Sequence, residues 1–149
     1  MSADPDLSAQ PFQLAVERNM VAGADIIYAA FTERLDSWFA APGTLTMAPE
    51  AGSPFFFETQ FDGQRHPHYG RYLRLVPDEL VELTWVTGNP GTLGDETVVT
   101  VEIAAMESGA KVKLIHAGFS DEDAMKGHLE AWPNVLAHLD KCVADGALD

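Results

Sequence analysis

The stretch from Ser120 to Ala144 constrains the chain more than any other, because its apolar residues keep a helical period along its whole length. Met125, Leu129, Trp132, Leu136, Leu139 and Val143 recur at steps of four, three, four, three and four. That spacing places them on one α-helical face. The start is marked as well. Ser120 is positioned to cap, and Asp121, Glu122 and Asp123 set negative charge against the positive end of the helix dipole. Such a helix spans about 35 Å at about 1.5 Å per residue, and its apolar face has to lie on something. Pro133 stands inside it and cannot donate to the carbonyl of Leu129. The sequence therefore predicts a helix interrupted within a turn of Pro133, with Trp132 facing its cover.

The residues before it supply that cover. Phe12, Leu14 and Val16 alternate with Gln13, Ala15 and Glu17, the pattern of a strand. After Gly23, residues 24–40 carry Ile27, Phe31, Leu35, Trp38 and Phe39 at helical spacing, broken near Thr32-Glu33 into two short pieces and ended by Pro42-Gly43. Residues 44–54 are a turn-rich loop with room for an edge strand. Phe55-Phe56-Phe57 opens the next strand and Asp62-Gly63 is a hairpin signal. Tyr69–Val76 and Leu80–Val86 form a strand pair around Pro77-Asp78-Glu79, with Val81, Leu83 and Trp85 on one face and Glu82 and Thr84 on the other. Gly88 to Gly94 is a loop. Val99, Val101 and Ile103 then alternate with polar residues, as do Val112, Leu114 and His116 beyond Ser108-Gly109. The reading is α+β: a strand, two short helices, an antiparallel sheet of about six strands in all, and the long helix across it. No repeat or linker divides the chain. Residues 1–11 read as a flexible lead-in, 12–144 as one domain and 145–149 as a tail.

Charge narrows the partners. Nine basic against 23 acidic residues leave a formal charge of −14, which repels nucleic-acid phosphates and anionic membrane surfaces; neither is expected as a partner. There is no basic-then-apolar leader and no apolar run of membrane-spanning length, so a cytoplasmic protein is expected. The single Cys142 excludes an internal disulfide and reads as a structural thiol. His66 and His68 together make half a metal site, and the helical period puts His128 and His138 on other faces of the last helix. No metal and no cofactor are expected. P-loop, dinucleotide-binding and nucleophile-elbow patterns are missing from the sequence.

Several local patterns, in order, resemble the helix-grip fold of the START-like or SRPBCC superfamily. More narrowly they resemble the branch related to the ATPase-activator domain of the ninety-kilodalton heat-shock chaperone. The residues that carry this are Ala24 to Thr32 with Trp38, the run GRYLRLVP from Gly70 to Pro77, Leu80 to Trp85, Val98 to Phe119, and Trp132 with Leu136 and Leu139. The branch commonly has glycine before the helix tryptophan, where Ala131 stands here. The resemblance covers about residues 12 to 144. It implies a curved sheet gripping the terminal helix, with a cavity between them that often holds an apolar small molecule.

On that expectation the ligand-binding set is Trp38, Phe57, Trp85, Phe119 and Trp132 from the aromatics, with Leu129 and Leu136 from the helix face, Arg71 and His116. The aromatics serve equally as core, since pocket wall and core coincide in such a fold. His116 shares the inward face of Val112 and Leu114. It reads as a satisfied core histidine, with a polar contact to a ligand or a general base as the other readings. Arg71 falls on the side of Leu73 and Leu75, at the pocket rim if those face inward; a surface arginine is the plainer alternative. The function expected is non-catalytic binding of a small, largely apolar molecule, with a co-chaperone-type protein-interaction module or a pocket enzyme as alternatives, and a chaperone or other protein as a possible partner. Oligomeric state is not legible.

Overall fold

Seven antiparallel strands lie in the order β1-β7-β6-β5-β4-β3-β2 in a computed structural model, which describes residues 5–35, 38–39, 46–47, 50–61, 64–88 and 91–146. Along the chain these are β1 (Phe12–Met20), α1 (Ala24–Thr32), β2 (Thr46–Met47), β3 (Pro54–Phe61), β4 (Gln64–Val76), β5 (Leu80–Trp85), β6 (Thr97–Ala105), β7 (Ala110–Phe119) and α2 (Glu122–Ala144). Six of these strands match the expected number, β4 starting at Gln64 rather than Tyr69, and β2 is a two-residue addition at the edge. This is the helix-grip arrangement, with the first and last strands paired and the terminal helix laid across the sheet. The second short helical piece, Pro42-Gly43 and the Asp62-Gly63 turn fall wholly or partly outside the described residues. The flanking strands pair in the register Phe61↔Gln64.

Alternation decides which face is buried. Leu14, Val81, Leu83, Trp85, Val99, Val101, Val112 and Leu114 point to one side and are nearly inaccessible. Each contributes about 1.5–3 kcal/mol by leaving water. Trp132, Leu136 and Leu139 of α2 close over them. The central strand β5 is buried on its other face too. Glu82, 7% exposed, accepts from Nε and Nη2 of Arg74, both at 2.9 Å, and from Oγ1 of Thr100 at 2.9 Å.

Asp140 ties the helix to the other end of the fold. Its carboxylate accepts from the backbone N–H groups of Val21 and Ala22 at 3.0 and 3.3 Å and from Nε of Arg18 at 3.1 Å. At the helix start the cap is Asp121, accepting from the N–H of Asp123, rather than Ser120. Ser120 instead donates both its N–H and its hydroxyl to Asp95.

The expected interruption at Pro133 does not occur: α2 runs unbroken from Glu122 to Ala144. The missing donor affects only the carbonyl of Leu129, and Leu129 and Pro133 both lie on the exposed side, where water can serve it. Trp132 faces the sheet as expected and is 3% exposed.

Candidate functional site

A cavity of about 170 Å³ opens between the sheet and α2, lined by Phe39, His68, Trp85, His128, Ala131, Trp132 and Val135. A second hollow of about 320 Å³ adjoins it, sharing His128 and Ala131 and reaching Gly91, Asp123, Ala124 and Gly127.

Trp85 is the last residue of β5 and ends the inward series Val81, Leu83, Trp85. His68 reaches the site through pairing: it stands opposite Phe57 in the β3–β4 register, and the two rings stack at 4.7 Å and 14°. Two residues on, Gly70 faces the same way, and a Cβ there would overlap the Thr84 carbonyl oxygen and the Phe55 ring. Only glycine lets Phe55 close the floor behind Trp85. Phe39 is the hub of the rings, 5.7 Å from Trp85, 5.9 Å from His68 and stacked at 6.4 Å on Trp132. It is held from behind by Trp38, whose indole N–H donates to the carbonyl of Ala30 at 2.9 Å.

On β7, Gly118 has φ +101° and is skipped in the register, which runs Phe12↔Phe119 and then Gln13↔Ala117. That bulge turns Phe119 inward next to His116, although simple alternation would point it out. Phe119 lies 4.5 Å from the His116 ring and 5.0 Å from His128.

His116 is fully bonded. The indole N–H of Trp132 donates to its Nδ1 at 3.0 Å, and its Nε2 lies 2.7 Å from Oγ1 of Thr97. The Thr97 hydroxyl donates to the carbonyl of Trp85 at 2.6 Å. A carbonyl only accepts, so the chain has one direction: Trp132 to His116 to Thr97 to Trp85. It requires neutral imidazole with the proton on Nε2. Burial, with His128 nearby, holds its pKa well below the usual histidine value.

His68 and His128 are arranged differently. Nδ1 of His68 faces the carbonyl of His66 at 3.0 Å, and Nδ1 of His128 faces the carbonyl of Ala124 at 2.9 Å. Each Nδ1 must therefore carry the proton, leaving Nε2 with a lone pair. Burial pushes His68 down to about 4, against the raising effect of the His66 carbonyl, and lowers His128 too.

Of the residues expected from sequence, Trp85 and Trp132 line the cavity. Phe57, His116 and Phe119 form the layer behind it, Trp38 backs Phe39, and Leu136 is buried deeper. Two do not reach it. Leu129 is 42% exposed, because His128 occupies the helix face that meets Phe119 and His116; this also corrects the placing of His128 on another face. Arg71 lies on the opposite sheet face, bonded to Glu96 at 2.8 Å. A bulge between Tyr72 and Arg74 breaks the alternation that had grouped it with Leu75. Phe39, His68, His128, Ala131 and Val135 lay outside the expected set. The signal for His68 was available, since it alternates with the buried Tyr72.

Among the described residues no group of three or more metal-ligating side chains comes together, and no helix is long and apolar enough to cross a membrane.

Residues 22–144 match the family model described as "Activator of Hsp90 ATPase homolog 1-like protein". No curated protein matches the chain. Among solved structures, a Mesorhizobium loti protein aligns with TM-score 0.74 at 18% identity, over 90% of this chain and 98% of its own. One from Chromobacterium violaceum aligns with TM-score 0.70 at 22% identity, over 88% and 96%. The solution structure of the Aha1 dimer from Colwellia psychrerythraea aligns with TM-score 0.67 at 20% identity, over 87% and 93%. At these identities the structures speak for the fold alone, and it is the family match, covering most of the chain, that places this protein among the Activator of Hsp90 ATPase homolog 1-like proteins.

Proposed function

We propose that residues 12–144 act as one domain that binds a small, largely apolar molecule between the sheet and α2, without catalysis of its own, in a cytoplasmic setting. The observation that carries this reading is the cavity walled by Phe39, Trp85, Trp132 and Val135 and opening into a second hollow. An apolar cavity of about 150 Å³ is known to take up benzene, so this one has room for one substituted ring, with the remainder of a ligand in the adjoining hollow. Burial of apolar surface, about 25 cal/mol per Å², is the driving term. The non-catalytic reading is supported by His116, whose two nitrogens are both engaged within the protein.

A protein-interaction module is the second reading. The family favours it, as does Tyr69, 48% exposed on the outer sheet face against Phe56. A thermal-shift screen with fatty acids, sterols, flavonoids and aromatic polyketide-like compounds separates the two. A ligand specific for the folded state stabilises it by about 2.7 kcal/mol at a hundredfold excess over Kd. Hits that also change tryptophan emission support the cavity. A screen without hits leaves the interaction module as the better account.

A further inference from the structure

The polar groups around the cavity specify more than an apolar occupant. Three of the rings that line it carry a nitrogen that makes no hydrogen bond among the described residues: Nε2 of His68, Nε2 of His128 and the indole N–H of Trp85. The first two are acceptors. Their Nδ1 protons are held by the carbonyls of His66 and Ala124, and neither carbonyl can release its imidazole to the other tautomer without losing that bond. The third is a donor only. Trp132 and His116, by contrast, satisfy each other. The lining residues thus carry two lone pairs and one N–H among otherwise apolar side chains.

We propose that this cavity selects an uncharged aromatic molecule bearing a hydroxyl group, bound with the hydroxyl at His68 or His128. The inference rests on the reading of the cavity as a ligand site and narrows it to a ligand class. A hydroxyl donates once and accepts from other groups, so it is the simplest substituent that suits both kinds of nitrogen. A bare hydrocarbon leaves all three nitrogens without a partner, and a buried polar group left unpaired weakens binding. A carboxylate places two further acceptors against two lone pairs, in a chain whose formal charge is already −14. Arg71, the cation expected to welcome an acidic group, is bonded to Glu96 on the other face of the sheet. The ring itself is matched by Phe39, Trp85 and Trp132, whose edges and faces favour offset or edge-on aromatic contact.

Titration of the full chain at pH 7 with 2-naphthol, naphthalene and 2-naphthoate tests this, read by tryptophan emission and checked by calorimetry. The expected order is naphthol tighter than naphthalene by about tenfold or more, and tighter than naphthoate by at least as much, as one well-placed hydrogen bond or its absence gives. In whichever variant removes the accepting histidine, His128→Leu or His68→Phe, the advantage of naphthol over naphthalene is expected to shrink at least about threefold. Each ratio is taken within one variant, so a general loss of stability cancels; if His68→Phe does not fold, His68→Leu takes its place. Naphthol and naphthalene binding equally to the unsubstituted protein overturns the hydroxyl-selective proposal and leaves the binding reading standing. Full retention of the preference in both the His128 and the His68 variant overturns the assignment to these histidines. Binding of none of the three overturns both.

Discussion

Trp132 donates its indole N–H to Nδ1 of His116 at 3.0 Å, and both side chains are almost wholly buried. The bond joins the terminal helix to β7 and sets the histidine tautomer. Trp132→Phe keeps most of the ring but leaves a buried acceptor alone, at a cost of about 1–3 kcal/mol beyond the lost packing. Thr97→Val, at the other end of the same chain, is expected to cost a similar amount. In a double-mutant cycle the two losses should fall short of additive by at least about 0.5 kcal/mol, because they break one network. Additive losses in urea unfolding would show that the bonds act separately.

Acid is expected to destabilise the fold through its buried histidines. His68 has a folded pKa of about 4 against 6.5 for the free side chain, chiefly from burial. Its contribution is therefore complete above about pH 6.5 and is lost as the pH falls toward 4, where the unfolded chain takes up a proton that the folded one refuses. Between pH 8 and 4.5 this one residue should account for about 2–3 kcal/mol. The urea midpoint of His68→Phe should accordingly fall less over that range than that of the unsubstituted protein. Equal falls would show that His68 is not held neutral.

Asp140 is expected to be the polar residue on which docking of α2 depends most. Asp140→Ala leaves the N–H groups of Val21 and Ala22 without their acceptor and Arg18 without its partner. A loss of about 3 kcal/mol follows. Hydrogen exchange should report it as faster opening of α2 and of the residues around 21–22. Unchanged protection would mean that apolar packing alone seats the helix.

Exhaustive chelation is expected to leave the melting temperature unchanged, since no group of three ligating side chains assembles among the described residues. A fall of about several degrees would point to a metal bound with residues outside that set.

The strands and the terminal helix were legible because a period of two or of 3.6 survives translation into burial. Leu14, Val81, Leu83, Val101, Leu114, Trp132 and Leu136 all lie where alternation or helical spacing sets them. The misplacements arise where the chain departs from its period. A bulge at Tyr72–Arg74 turned Arg71 outward, and helix packing favoured His128 over Leu129 at the face that meets Phe119. Continuity of α2 through Pro133 depended on exposure of Leu129, a tertiary fact that local rules do not carry. The polar side of the site was hidden for a similar reason. His68 meets Trp85 at 5.1 Å and shares the cavity wall with His128, sixty positions on, only once the sheet and the helix have closed.

Ligand occupancy of the cavity is the central claim, and Ala131→Trp tests it most directly. Ala131 lines both hollows from an exposed position on α2, so a bulky side chain there can fill the space without removing any core contact. Stability is expected to change by no more than about 0.5–1 kcal/mol. The measurement is the dissociation constant of the best stabilising compound from the thermal-shift screen, for the unsubstituted protein and for Ala131→Trp. A loss of affinity of about tenfold or more is expected in the variant, with the melting temperature of the free protein nearly unchanged. Equal affinity in the two proteins would contradict it, because the compound would then be bound somewhere other than between the sheet and α2.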